Sequence, residues 1–322
     1  MNDIKIGCGV KGMYKIQVLD HGRIVEDRPW AKNMILNQGL DYAIAGYNCI
    51  PNLFCYHCVG TGTTAVSSTQ VGLDNEVKRT GTYLIGTGNT GLSISGGVAT
   101  YRYTFDHSVE GVGGANYTEH GLSPSVTAGN NLFARSLISG GTVSVAEGQQ
   151  LRVIYDIIVS ITPAVQTVGT AGGIGWPVPP ATNCDGVSVL LETAASIGTL
   201  GTYGDSGTYA LLTFGGTSYC RMYAASSITL PSQFGSLASY SPISNSEIKY
   251  VAASYSTGSF TRNYIPSGYA SASSFASSSI AGFLLFNTQS GQQIAFKYNQ
   301  NQTKANTHRL RYPSITVTWA RA

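Results

Sequence analysis

The stretch from Arg309 to Ala322 reads as a strand with one dry face, and that pattern recurs along much of the chain. Ile315, Val317 and Trp319 fall on one side and Ser314, Thr316 and Thr318 on the other, the period-2 signature of a half-buried strand. Pro313 breaks the phase, since Leu310 and Tyr312 are even-numbered while the later apolar positions are odd. A bulge or sheet edge is expected there. With a core strand as its last segment, the chain is expected to form a closed all-β body.

The same alternation opens the chain. Tyr14, Ile16 and Val18 alternate with Lys15 and Gln17, Asp20-His21-Gly22 supplies turn chemistry, and Ile24-Val25 starts a return strand. This spacing predicts a β-hairpin. One short helix is expected over 34–45, where Leu36, Leu40, Ala43 and Ile44 share a face. Gly39 weakens it and Gly46 ends it. Further strands are expected over 54–59, 82–85, 99–105 and 132–137. Leu151, Val153, Tyr155, Ile157, Val159 and Ile161 give the longest alternation, and Ile154 and Ile158 make its other face apolar too. That strand should be central. Without a fixed-period repeat the expected architecture is a β-sandwich or jelly-roll.

Gly and Pro dominate residues 164–183, so the reading is a β-sandwich region over 1–163, a linker over 164–183 and a second β region over 184–322. The strands of 280–322 are candidates to complete the first sandwich, which would make the middle an insertion. That middle is rich in Gly, Ser and Tyr, and from 164 to 280 its only charged residues are Asp185, Glu192, Asp205, Arg221, Glu247, Lys249 and Arg262. Across the chain, charged residues make up 11%, against roughly 25% in ordinary globular proteins. A surface this poor in charge suggests burial against other subunits. The net charge of +3 is small and no basic cluster follows one face, which argues against nucleic acid as a partner. No basic and apolar leader opens the sequence and no apolar run is long enough for a membrane helix, so a protein made in the cytosol without membrane insertion is expected.

Cys55-Tyr56-His57-Cys58, with Cys49 nearby, invites a zinc reading. Ligands of a C-x-x-C pair sit on a tight knuckle, however, and positions three apart on a strand face opposite ways. The six cysteines are therefore read as reduced thiols. Gly86-Thr87-Gly88-Asn89-Thr90-Gly91 matches a dinucleotide fingerprint, but no helix follows to receive a pyrophosphate. Asp106-His107, Glu110 and Glu119-His120 could supply an acid and a base for glycoside cleavage. Each carboxylate lies near a glycine turn, where accepting backbone N–H groups is its usual work. No catalytic residue, metal or cofactor is expected, and the chain reads as non-enzymatic. Trp176, Tyr203, Tyr209, Tyr219, Tyr223, Tyr264, Tyr269 and Arg321 are the candidate contact residues, because tyrosine and tryptophan combine a large ring with a polar handle.

The order of several short motifs resembles bacteriophage tail and tail-fibre-type virion proteins. The matching pieces are Asn33 to Leu40 (N-x-I-x-x-x-G-L), Val59 to Thr64 (V-G-T-G-T-T), Leu73 to Val77 (L-x-x-E-V), Glu119 to Leu122 (E-x-G-L), Leu132 to Leu137 (L-F-x-R-x-L), Gly148 to Tyr155 and the ending Trp319 to Ala322. They cover roughly 33–163 and 280–322 and leave the middle unmatched. The resemblance implies a structural protein of a tail, fibre or neck, located in the virion, forming a symmetric oligomer and touching other virion proteins. The alternative is a receptor-binding protein that binds or cleaves a host surface polysaccharide through Trp176, tyrosines or the Glu110 and Glu119 carboxylates.

Overall fold

The structure is a computed structural model that describes residues 3–44, 56–81, 91–95, 98–163, 184–190, 209–210, 213–214, 220–229, 239–243, 248–267, 279–287, 293–303 and 314–322. The all-β class holds, with one short helix and a large, mainly antiparallel sheet nearly closed into a barrel. The strands of the first half are β1 (Asp3–Asp20), β2 (Arg23–Asp27), β3 (Ala31–Ile35), β4 (Tyr56–Gly60), β5 (Glu76–Thr80), β6 (Gly91–Ser95), β7 (Val98–Asp106), β8 (Ala115–Tyr117), β9 (Glu119–Ser123), β10 (Ala134–Leu137), β11 (Val143–Val145) and β12 (Gln149–Pro163), with helix α1 (Asn37–Ile44) between β3 and β4. Beyond them come β13 (Cys184–Leu190), β14 (Tyr209–Ala210), β15 (Thr213–Phe214), β16 (Cys220–Thr229), β17 (Ser239–Pro242), β18 (Ile248–Ala252), β19 (Thr261–Pro266), β20 (Ser279–Asn287), β21 (Gln293–Thr303) and β22 (Ser314–Arg321).

The spine is β1, paired antiparallel with β12 from Ile6↔Pro163 to Asp20↔Gln149. Tyr14, Ile16 and Val18 face Leu151, Val153, Tyr155 and Ile157 inside the barrel, all buried. β12 is central, as its double apolar face predicts, because β7 pairs with its other edge. The hairpin to β2 turns on His21 and Gly22, both with positive φ (47° and 81°), the two-residue geometry that suits the right-handed twist of paired strands.

Along its second edge β1 changes partner. β22 runs parallel to it from Asp3↔Ser314 to Val10↔Arg321; β3 then takes over at Gly12↔Asn33, and β2 follows from Gln17. Of the strands after residue 280, β22 joins the first-half sheet directly, and Ile315, Val317 and Trp319 are buried as their alternation predicts. β20 and β21 pair instead with each other and with β16 and β13. The predicted linker over 164–183 and Pro313 lie outside the described residues.

A second group of strands, β3–β10–β9–β4–β5, carries the site-forming residues. The helix spans Asn37–Ile44, shorter than the expected 34–45, because Met34 and Ile35 belong to β3. Leu36 and Leu40 are buried, and Leu36 packs with Cys58 and Leu132, flanked by Leu73. Gly39, which sequence reasoning treats as a weakness, has a packing role. A Cβ there would lie 2.1 Å from the Phe133 carbonyl oxygen, so only glycine lets the helix approach the entry to β10.

Candidate functional site

Among the described residues, two buried polar clusters and two surface clefts gather side chains capable of chemistry. The first cluster centres on Arg135 of β10 and Glu119 of β9, neither side chain being exposed to solvent. Glu119 Oε1 accepts the backbone N–H groups of Gly62 and Asn75, each at 2.9 Å, and Oε2 accepts that of Asp74 at 3.1 Å. Arg135 donates to Oε2 through Nε and Nη2, to Asp74 through Nη2 at 2.8 Å and to Gln70 through Nη1 at 2.6 Å. Gly60 and Gly62 are required here, since a Cβ on either would meet the Glu119 carboxylate at 2.6 Å or less. The turn of 60–64, the segment 73–77, the corner at 119–122 and the strand at 132–137 thus converge on one ion pair.

The second cluster is a line of three imidazoles. His57 Nδ1 lies 2.9 Å from His107 Nε2, and His57 Nε2 lies 3.2 Å from His120 Nδ1. All three rings are buried, and Tyr14 packs on His120 with ring centroids 4.0 Å apart. Burial, reinforced by mutual repulsion of the protonated rings, holds His57 well below its ordinary pKa and His120 at about 3; His107 also falls to about 3, through burial and then the nearby Lys78 charge. Neutral imidazole has one donor and one acceptor nitrogen, so the line is polarised in one direction. Its ends, His107 Nδ1 and His120 Nε2, have no hydrogen-bond partner. Among the described residues no His, Cys, Asp and Glu side chains converge to hold a metal ion.

The proposed acids and bases are all occupied. Asp106 pairs with Arg152 at 2.6 Å. Glu110 pairs with Lys78 at 2.7 Å and accepts the Tyr117 hydroxyl. Glu119 holds backbone N–H groups, as the turn chemistry around it predicts. In the cysteine-histidine segment, Cys58 is buried and its thiol pKa is raised by that burial, while Cys49 and Cys55 lie outside the described residues. The glycine motif at 86–91 is outside them except for Gly91, which begins β6.

The larger cleft, about 720 Å³, lies between α1 and the loop 253–260. Asn37, Asp41 and Tyr42 line one wall, Tyr255 and Arg262 the other, with Thr69 between. Asp41 accepts the Tyr255 hydroxyl and, at 2.8 Å, the backbone N–H of Gly258. The Tyr255 pKa is pushed up to about 12 by burial and then by Asp41, so the phenol stays protonated as a donor. A smaller cleft of about 360 Å³ lies beside Arg321.

Of the predicted contact residues, Arg321 lines this smaller cleft, donating through Nε to the Ile35 carbonyl at 2.5 Å and through Nη2 to Asn37 Oδ1. Tyr264 is corrected: at 1% exposure it is a core residue of β19, placed inward by its pairing opposite Ile315. Tyr209 and Tyr223 lie on β14 and β16. Trp176, Tyr203, Tyr219 and Tyr269 fall outside the described residues. Sequence reasoning assigned no role to Arg135 or Asp41. The signal for Arg135 was a lone cation in an apolar strand, which needs a buried carboxylate; Asp41, on a short helix, offered no comparable one. No family model, curated protein or solved structure matches this chain.

Proposed function

We propose that the chain is a non-enzymatic structural component of a phage virion, in a tail, fibre or neck, and that it assembles as a symmetric oligomer touching other virion proteins. One observation carries the structural role. The side chains that a reaction would recruit, His57, His107, His120 and Glu119, are sealed from solvent, and Glu119 is saturated by partners within the chain. They act as internal struts, which leaves contact to the surface. The virion assignment rests on the resemblance of the motif order, and four of those motifs meet at the Glu119–Arg135 pair and so form one scaffold. Self-association is supported by the sparse charge and by exposed apolar side chains such as Ile24, Val25 and Trp30. Sedimentation velocity at micromolar concentration tests it: a discrete oligomer is expected, and a strict monomer overturns the assembly reading.

Binding of a surface polysaccharide is the second reading, favoured by the cleft beside α1. Asp41, Asn37 and Arg262 present polar groups beside the rings of Tyr42 and Tyr255, the mixture that sugar hydroxyls and their apolar faces require. Binding of polysaccharide without cleavage, lost in Tyr42→Ala, is the expected result. Cleavage by the wild-type chain would overturn the non-enzymatic assignment.

A further inference from the structure

The smaller cleft sits where β1 changes partner, between Val10↔Arg321 of the β22 pairing and Gly12↔Asn33 of the β3 pairing. Lys11 lies in the gap. The lining brings together Lys11, Lys32 and Arg321 beside the apolar side chains of Met34 and Val66, with no Asp or Glu side chain.

This convergence departs from how the chain treats most of its other described cations, the exposed Arg23 of β2 being one that also holds no ion pair. Lys15, Arg28, Lys78, Arg79, Arg102, Arg135 and Arg152 each hold a carboxylate. Among the described residues Lys11, Lys32 and Arg321 pair with no Asp or Glu side chain. Arg135 also borders the cleft, but Glu119 and Asp74 neutralise it. Arg321 donates only to neutral oxygens, Ile35 O and Asn37 Oδ1, and its partial burial lowers its proton affinity. In a chain with so few charges, three uncompensated cations around one cavity make a local positive potential that solvent only partly screens.

We propose that this notch binds a small organic oxyanion, a phosphate or carboxylate head on an apolar body, with the head held by Lys11, Lys32 and Arg321 and the body resting on Met34 and Val66. The site lies apart from the cleft beside α1 and does not depend on the virion reading. Asn37 links the two, lining the larger cleft while accepting from Arg321.

Calorimetric titration of the full chain with phenyl phosphate, benzoate and inorganic phosphate at low ionic strength tests the site. Saturable one-to-one binding of phenyl phosphate or benzoate is expected, tighter than that of inorganic phosphate, and the tighter of the two identifies the head group. The double substitution Lys11→Gln with Lys32→Gln changes exposed or half-exposed side chains and should leave the fold intact, as a thermal melt will show. It should weaken binding about tenfold or more. Lys15→Gln is the control, since that amine already pairs with Asp27 at 2.8 Å, and it should change affinity less than about twofold. Absence of saturable binding by both organic anions, or equal losses in the control and the double variant, overturns the proposal.

Discussion

The Arg135 guanidinium meets the Glu119 carboxylate through Nε at 3.0 Å and Nη2 at 2.8 Å, with both side chains sealed from water. Removing one partner from such a pair strands a charge in a low-dielectric interior, at a cost of about 3–5 kcal/mol. Arg135→Met and Glu119→Gln are each expected to lower unfolding free energy by about that much. Urea denaturation measures it, and a loss below about 1 kcal/mol would mean that water reaches the pair.

The three linked histidines make stability depend on pH. Each has a lower pKa folded than unfolded, so the unfolded chain binds more protons below the ordinary value near 6.5. Stability is therefore complete above about pH 6.5 and falls as pH drops toward 3. Between pH 7 and 5 the loss is about 2 kcal/mol per histidine, with about 6 kcal/mol as the upper bound for three. Unfolding curves at pH 7, 6 and 5 check the slope, and a flat profile would show that the rings are not held neutral.

Gly39→Ala sets two effects against each other. Alanine gains about 1 kcal/mol of helix propensity over glycine, but its Cβ would stand 2.1 Å from the backbone oxygen of Phe133. Overpacking against a main-chain atom costs about 1–3 kcal/mol and should win. A lower melting temperature is expected, whereas a rise would show that α1 can lift away from β10.

Asp41 ties α1 to the loop 253–260 through the Tyr255 hydroxyl and the Gly258 amide. Asp41→Ala should leave the barrel folded while hydrogen exchange at Gly258 speeds up about tenfold or more, the equivalent of one lost charge-assisted hydrogen bond. Unchanged protection at that amide would place the anchor of the loop elsewhere.

Trp319 packs into the core at 2% exposure while β22 zips onto β1. Trp319→Ala is expected to cost about 3–5 kcal/mol, read from the denaturation midpoint. A loss under 1 kcal/mol would show that backbone pairing alone holds the strand.

Period-2 alternation made β1, β7, β12 and β22 legible, because each buries one face and the pattern is local. The His21-Gly22 turn was legible for the same reason. What alternation does not carry is register and partner choice: nothing local says that β22 lies parallel to β1, or that Tyr264 faces inward opposite Ile315. The role of Glu119 followed from its glycine neighbours. Arg135, the histidine line and the Asp41 anchor depend on residues brought together from distant segments, as with His57 and His120 on adjacent strands, and that information is absent from spacing. The packing role of Gly39 was not legible, because helix propensity is intrinsic to the residue while the Phe133 carbonyl beside it comes from a distant segment.

The switch of partners along β1 also bears on the order of events during synthesis. β2 and β3 can pair with β1 soon after it leaves the ribosome, but the edge over Asp3–Val10 that β22 takes stays open until residues 314–321 are made. Pairings between such remote segments form slowly, and an unpaired alternating strand is a template for misassembly in the interval. Cells making this protein are therefore expected to show its nascent chain held by chaperones until β22 closes the edge.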